Sequence, residues 1–222
     1  RVIQIEYAQG WLATDIEKTG HKQALWRTNP AKAGIGGAIG DIGTHAFHLS
    51  EFVTGLQVKS LLADLDSMVS GRELDDNANI LMKYTKDVKG MLWVSQIASG
   101  KENGLKIRVF GTKAGIEWSQ ENPNFLEFSP LGESLRTLSR GGPSIGSLAE
   151  DATRIPSGHP EGFIEGFANI YSDTADLIIA HRSNSKTNSL VPTINDGIRG
   201  MQFIETAVKS STSGGVWLSF DS

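Results

Sequence analysis

The sequence predicts a single α+β domain, residues 1–222, in which helices pack on one face of a large, predominantly antiparallel, open sheet. Between residues 57 and 130, apolar residues recur mostly at alternate positions in short runs joined by turns, which is typical of antiparallel strands. After residue 160, apolar residues recur at helical spacing in two longer segments. A chain of 222 residues is also long enough to bury a sizeable core without disulfide bonds.

The first half of the chain is predicted to hold one helix among several strands. A strand lies within residues 1–12, and a polar, irregular stretch follows over residues 13–37. Helical spacing of apolar residues predicts a helix from about residue 39 to residue 53, which Gly55 ends. Further strands are predicted in QVKSLLADL, residues 78–84, MLWVSQIAS, residues 105–109, GIEWS and NFLEFSP. The turn TKDVKG joins residues 78–84 and MLWVSQIAS into a hairpin.

The second half of the chain is predicted to be mainly helical. It opens on the Gly-, Pro- and Ser-rich segment RGGPSIGSLAEDATRIPSGHP, which predicts a functional or mobile loop. An apolar stripe over residues 163–178 predicts a helix with Pro160 in its first turn. A last helix is predicted over about residues 195–211, closed by Gly214 and Gly215 and followed by VWLSF as a short strand.

The composition excludes several classes of chemistry. The chain contains no cysteine, so thiol nucleophiles, zinc–thiolate sites and iron–sulfur clusters are excluded. A net charge of −4 without long runs of one sign argues against nucleic acid or an anionic membrane as the main partner, and favours a small neutral or polar ligand. No segment resembles a membrane span or a signal peptide, which predicts a cytoplasmic protein. The first residues already follow a strand-like pattern, which suggests a fragment.

The stretch GGAIGDIGTHAFHL, residues 36–49, combines glycines with an acid and two histidines. A dinucleotide-binding loop requires G-x-G-x-x-G between a buried strand and a helix, because the glycines let the backbone approach a pyrophosphate. Gly34 and Gly36 match the first spacing, but Ile39 occupies the sixth position and the preceding TNPAKA is not a buried strand. The sequence therefore predicts a tight turn that brings the backbone close to another element or a ligand.

Asp41, His45 and His48 follow this turn at positions that share one face of an α-helix. Spacing alone leaves three interpretations open. The trio could bind a divalent metal, although no fourth ligand is evident. Asp41 could orient His45 as a proton shuttle that works near neutral pH. Alternatively, Asp41 caps the helix and a histidine is satisfied in the core.

Three segments of the chain resemble one family. GGAIGDIGTHAFHLSEFVTG, preceded by WRTNPAKAG, resembles the G-x-x-x-D-x-G-x-H segment of the glucose-fructose oxidoreductase/inositol dehydrogenase (Gfo/Idh/MocA) family. PTINDGIRGMQFIETAVKSSTSGGVWL is similar to the closing helix of that family, and GHPEGFIEGFANIY resembles members that act on sugars, inositols and anhydrosugars. The resemblance implies that residues 1–222 are the carboxy-terminal substrate-binding and oligomerisation domain, with a dihydrodipicolinate-reductase-like fold, and that the Rossmann domain lies outside this chain.

The resemblance also implies the site residues. Asp41 and His45 match the family's D-x-x-x-H pair, in which the histidine, helped by a lysine of the other domain, moves the substrate's hydroxyl proton while NAD or NADP takes the hydride. The cofactor is expected to be bound mainly by the amino-terminal domain, and no metal is expected. Arg27, Trp26 and His159 are expected to contact a sugar or polyol substrate. A homodimer or homotetramer is expected to form through the sheet face, because MLWVSQIA is apolar on both of its faces; a locally deep core is the alternative.

Two rival functions follow from the same residues. The fold could serve as a non-catalytic carbohydrate-binding or oligomerisation module, since a fold does not determine a function. Asp41, His45 and His48 could instead form the centre of a metal-assisted hydrolase. The resemblance gives His48 no role, and packing is expected for it.

Overall fold

A nine-stranded open sheet forms the centre of the computed structural model, which describes residues 1–143, 145–187 and 189–220. The strands of these described residues are β1 (Val2–Ala8), β2 (Val58–Asp66), β3 (Asn77–Tyr84), β4 (Lys89–Ser95), β5 (Gly104–Phe110), β6 (Ala114–Ser119), β7 (Phe125–Pro130), β8 (Arg136–Ser139) and β9 (Leu218–Ser219). Their order across the sheet is β8-β7-β6-β5-β1-β4-β3-β2-β9. The predicted α+β class and open sheet are confirmed.

The sheet departs from an antiparallel meander at one place, between β1 and β4. These two strands run parallel, with Ile5 level with Leu92, whereas every other neighbouring pair is antiparallel. After β1 the chain passes through a long connection, residues 9–57, and then forms the β2–β3–β4 meander. The last strand of this meander, β4, lies beside β1. A parallel pair needs such a crossover, and short turns between the later strands did not predict it.

The helices are α1 (Lys22–Arg27), α2 (Pro30–Ala33), α3 (Thr44–Thr54), α4 (Ser147–Asp151), α5 (Phe163–Arg182) and α6 (Ile194–Thr212). A π-helical turn, Ile39–Gly43, leads directly into α3, and 3₁₀ turns cover Ile16–Thr19 and Thr85–Asp87. Two expectations are therefore wrong in detail. The stretch predicted to be irregular contains α1 and α2, and the loop rich in Gly, Pro and Ser contains α4; all three are too short to show a helical period.

The helix ends follow local chemistry. Gly55 ends α3 in the left-handed region with φ +63°, as its position predicted. α6 begins with a capping box in which Asp196 accepts hydrogen bonds from the N–H and hydroxyl of Thr193. α5 begins at Phe163 rather than at Pro160, because the N–H of Gly162 donates to Glu165 and defines the first turn there.

The core lies between one face of the sheet and helices α3 and α6. Phe47 of α3 stacks on Phe203 of α6 with ring centroids 4.6 Å apart, and both are fully buried against the inner side chains of β1 to β5. The apolar stripe of α5 does not join this core: Phe163 is 80% exposed and Tyr171 is 73% exposed. Within the described residues, no helix is both long and apolar enough to span a bilayer.

Candidate functional site

A cavity of about 430 Å³ opens beside the glycine-rich turn. Trp26 and Arg27 at the end of α1, Asp41 of the π-helical turn and His45 of α3 all line it, and α6 adds an apolar wall through Met201 and Ile204. The structure thus brings together four of the five residues that were predicted as a site.

The π-helical turn sets how Asp41 and His45 face the cavity. A π turn is wider than an α turn, so residues four apart are not aligned as they are on a regular α-helix. Asp41 and His45 line the same cavity, yet they share no hydrogen bond within the described residues. A direct hydrogen bond from the imidazole to this carboxylate, as expected for its orientation, is therefore not formed in the described structure.

The Asp41 carboxylate is held by donors from two other elements. Its Oδ2 accepts from Nε of Arg27 at 2.8 Å and from Nε2 of Gln96 at 2.7 Å. Gln96, just after β4, is 2% exposed, whereas the Asp41 side chain is 24% exposed. Since Oδ1 accepts no hydrogen bond in the described part of the chain, it can accept one from a ligand hydroxyl.

Arg27 and Trp26 form one corner of the cavity. The guanidinium of Arg27 lies 4.2 Å from the centroid of the Trp26 ring and 5.8 Å from that of Trp11, which are cation–π contacts. Gln23 accepts hydrogen bonds from both Trp26 and Arg27. One face of the Trp26 indole is thereby covered by the guanidinium, and the direction of the Arg27 side chain is fixed before any ligand binds.

The two histidines of α3 have different surroundings. His45 is exposed, its side chain makes no hydrogen bond within the described residues, and its ring lies 6.2 Å from that of Tyr7 in an edge-on arrangement. His48 does not line the cavity, and its Nε2 lies 4.0 Å from Asp196 with its ring beside Phe52. Over the described ranges, no three His, Asp or Glu side chains form a group that could hold a metal ion.

The glycine-rich turn is bound by an acid from a distant segment. The carboxylate of Asp75 accepts hydrogen bonds from the N–H of Gly37 at 2.6 Å and from that of Ile39 at 2.7 Å. The main-chain carbonyl of Asp75 accepts one from the N–H of Ala38 at 2.8 Å. Burial raises the pKa of Asp75, although the hydrogen bonds from Ile39 and Gly37 oppose this rise. The amides that would face a phosphate in a nucleotide loop are thus committed to a protein side chain.

Gln96 and Asp75 were both missed by sequence reasoning, and so was their connection to the site. Neither belongs to a recognisable motif, and both are far along the chain from the residues they hold. The only local signal is an acidic pair, Asp75 and Asp76, directly before β3. An acidic pair before a strand is common in turns and does not by itself indicate a site.

The structure does not bring His159 to this cavity. His159 lies in the segment between β8 and α5, where its carbonyl accepts a hydrogen bond from Arg140. Arg140 also pairs with Glu161 at 3.0 Å, which ties the segment to the end of the sheet formed by β7 and β8. In the sheet order, β8 stands four places from β1, so this segment is at the far edge from the cavity.

The fold places a carboxylate held by two donors, an arginine and an imidazole without an internal hydrogen bond among the described residues on the lining of one cavity. The family model described as "GFO/IDH/MocA C-terminal domain" matches residues 1–117, more than half of the chain. The oxidoreductase YfiI of Bacillus subtilis (strain 168) is 36% identical over 225 residues, covering 99% of this chain and 57% of that protein. The chain therefore belongs to the GFO/IDH/MocA family of oxidoreductases.

Solved structures agree with this membership. An oxidoreductase from Sinorhizobium meliloti is 48% identical with a TM-score of 0.85, over 98% of this chain and 56% of that one. An inositol dehydrogenase homologue from Azotobacter vinelandii, solved with NADH and myo-inositol, is 32% identical with a TM-score of 0.86, over 99% of this chain and 56% of that one. The chain thus spans little more than half the length of these relatives.

Proposed function

We propose that this chain is the substrate-binding and acid/base domain of an NAD(P)-dependent oxidoreductase that acts on a sugar, an inositol or a related polyol. The observation that carries the proposal is the shared cavity of His45 and Asp41, in which the imidazole has no internal hydrogen bond and the carboxylate is held by Arg27 and Gln96. The relative solved with NADH and myo-inositol supports the same chemistry.

The proposed residues divide the work of an alcohol oxidation. Nicotinamide chemistry removes a hydride from the carbon, and the hydroxyl on that carbon must lose its proton to a base. The imidazole of His45 accepts this proton at a ring nitrogen. Oδ1 of Asp41 accepts a hydrogen bond from a substrate hydroxyl and so orients the ring of the polyol. Arg27 donates to Asp41 and keeps that carboxylate in place.

The described residues fit a polyol better than they fit a whole dinucleotide. The amides of Gly37 and Ile39, at the start of the helical segment, bind Asp75 and not a phosphate. We therefore assign the phosphates of NAD or NADP to another domain of a longer, two-domain protein, in which residues 1–222 form one domain. The length of the relatives supports this division. We expect the 222 residues alone to transfer no hydride.

We further propose that copies of this chain associate through the open face of the sheet, as a homodimer or a homotetramer. Leu81 and Met91 lie opposite each other on β3 and β4, and each is 45% exposed on the face that the helices leave uncovered. Exposed apolar side chains that lie together on a sheet are typical of a protein interface.

The experiment uses the longer protein, a panel of inositols, hexoses and anhydrosugars, and each nicotinamide cofactor. We expect His45→Gln to lower kcat by about 10² to 10⁴, the usual contribution of a positioned acid or base. His48→Gln is the matched control, because His48 lies on the same helix outside the cavity, and we expect its kcat to stay unchanged. A loss of tenfold or less in His45→Gln would remove His45 from this role.

A carbohydrate-binding module without chemistry is the second candidate. It is favoured by one observation, the lack of a hydrogen bond between Asp41 and His45 within the described residues. Titration calorimetry with the sugar, together with the absorbance of reduced nicotinamide, separates the two functions, since a module binds the sugar but reduces no NAD(P) in the presence of the other domain. The site of binding would be the same cavity in both cases.

A further inference from the structure

Three consecutive amides of the glycine-rich turn are bound by one residue that lies outside the cavity. Oδ1 of Asp75 accepts from Gly37, Oδ2 accepts from Ile39, and the carbonyl oxygen of Asp75 accepts from Ala38. Asp75 belongs to the connection between β2 and β3, 36 and 38 positions along the chain from the amides that its carboxylate holds.

These amides begin the helical segment that carries the proposed acid/base pair. The carbonyl of Gly37 accepts from the N–H groups of Gly40 and Asp41, so the first turn starts at Gly37. The first N–H groups of a helix have no partner within the helix and need one from elsewhere. Neither Ala38 nor Gly43, the residues before the π turn and α3, supplies a side-chain cap. Asp75 supplies it from another part of the chain.

We propose that Asp75 is a positioning residue that fixes the start of this helical segment and thereby the placement of Asp41 and His45 in the cavity. Its catalytic consequence rests on the function proposed above, whereas its structural consequence does not. Asp75 itself does not line the cavity, so it acts through the turn.

The turn approaches Asp75 closely at Gly37. A Cβ atom on Gly37 would lie 2.1 Å from the carbonyl oxygen of Asp75, which only glycine avoids. Each carboxylate oxygen of Asp75 accepts one backbone N–H. The side-chain amide of an asparagine here would place its NH₂ group against one of these two N–H donors. Asp75→Asn therefore loses one hydrogen bond and places two donors face to face.

The adjacent residue provides a matched control. The carboxylate of Asp76 also accepts two backbone N–H groups, from Met68 and Val69, and it pairs with Arg72. The three partners of this carboxylate lie within the β2–β3 connection and not in the glycine-rich turn. Asp76→Asn is therefore expected to weaken the same part of the fold without moving Asp41 or His45.

The first measurement is amide hydrogen exchange on the 222-residue chain. In Asp75→Asn we expect the amides of Gly37 and Ile39 to exchange at least about tenfold faster, since an opening of the turn needs fewer hydrogen bonds to break. In Asp76→Asn we expect these two amides to keep their protection while those of Met68 and Val69 lose it. Unchanged protection of Gly37 and Ile39 in Asp75→Asn would overturn the proposal.

The second measurement is kcat and KM of the longer protein, below the melting temperature of every variant. We expect Asp75→Asn to lower kcat by about tenfold to a hundredfold, with a smaller change in KM, because a displaced acid/base pair reduces reactive geometry more than binding. Asp76→Asn is expected to keep kcat. Equal losses in both variants would mean general destabilisation and would overturn the role of Asp75.

Two further outcomes are covered by the same design. If the unmodified longer protein oxidises no polyol, the proposed function fails, while the exchange experiment still decides whether Asp75 holds the turn. If Asp75→Asn does not fold, Asp75→Glu replaces it, because glutamate keeps both acceptor oxygens and shifts them by one methylene. We then expect a folded chain with a reduced kcat, and a full kcat would contradict the proposal.

Discussion

The carboxylate of Asp41 is held by two donors that meet at the same oxygen. Arg27 approaches from α1 and Gln96 from the end of β4, at 2.8 and 2.7 Å. The main chain of Gln96 is also held, since its N–H donates to the main-chain carbonyl of Asp76 and its carbonyl accepts from the N–H of Leu12. At the residue scale, the site therefore depends on the side-chain amide of Gln96, a residue that is 2% exposed.

Removal of the side-chain amide of Gln96 is expected to affect both stability and kcat. Gln96→Leu leaves Oδ2 of Asp41 with Arg27 alone, and we expect the free energy of unfolding to fall by about 1 kcal/mol, the net value of one hydrogen bond. We expect kcat of the longer protein to fall by roughly tenfold, because the carboxylate gains freedom to rotate. Chemical denaturation and steady-state kinetics measure both effects. Gln120→Leu is the control, because Gln120 is half-buried, donates to the carbonyl of Asn103 and lies outside the cavity; an equal loss there would contradict the role of Gln96.

The sequence predicted the side chains of the cavity and missed those that hold them, for a physical reason. Trp26, Arg27, Asp41 and His45 lie within twenty positions of each other, so a local pattern marks them. Gln96 and Asp75 reach the site only because β4 and the β2–β3 connection pass beside the turn. Contacts of this kind depend on strand order, and the parallel pairing of β1 with β4 was not foreseen.

At the scale of elements, one buried arginine joins the segment before α1 to the segment that carries Asp75. Arg72 is 3% exposed at its side chain and donates to both carboxylate oxygens of Glu17, at 2.9 and 3.0 Å. It also donates to the carbonyls of Leu12 and Thr14 and to Asp76. Arg72 therefore holds the segment before α1 against the connection between β2 and β3.

This connection predicts a dependence of stability on pH. Hydrogen bonding to Arg72 lowers the pKa of Glu17 below its ordinary 4.5. The folded chain thus binds fewer protons than the unfolded chain, and the contribution of Glu17 is present above pH 4.5 and is lost as the pH falls through the folded-state pKa. We expect Glu17→Gln to lower the free energy of unfolding at pH 7 by about 1.5 to 3 kcal/mol.

Urea denaturation across a pH series tests this dependence. The difference between the unmodified chain and Glu17→Gln should shrink as the pH falls below 4.5. Glu133→Gln is the control, because its pair with Arg136 is more than half exposed and such surface pairs contribute little. A difference for Glu17→Gln that stays constant from neutral to acid pH would contradict the assignment.

The helices show how far a sequence pattern can predict an element. The spacing of apolar residues located α3, α5 and α6 and their ends to within a few residues. It did not predict that the turn before α3 is a π turn, whose first amides are bound by the remote Asp75. Nor did it predict the exposure of the α5 stripe: an apolar stripe says which side of a helix avoids water but not what covers that side.

At the scale of the whole molecule, the two faces of the sheet differ in what covers them. α3 and α6 bury one face, and the other presents Leu62, Leu81, Met91 and Trp93 around a cavity of about 410 Å³. Lys106 and Arg108 line the same face and pair with Glu117, whose pKa is lowered mainly by its hydrogen bond to Lys106. A face with an apolar centre and charged residues beside it suits an interface between identical copies, because a two-fold axis pairs the same patch with itself.

Association through this face predicts a specific change in mass. We expect size-exclusion chromatography with light scattering to report the mass of a dimer or a tetramer at tens of micromolar protein. Stable interfaces that persist at such concentrations bury about 1,200 to 2,000 Å² or more. Leu81→Lys places a charge opposite Met91 at the centre of the patch, and we expect it to give monomers or halve the mass. Leu131→Lys is the matched control, since Leu131 is 78% exposed in the turn between β7 and β8, away from the patch. A monomeric unmodified chain, or an equal loss of mass in both variants, would contradict association through this face.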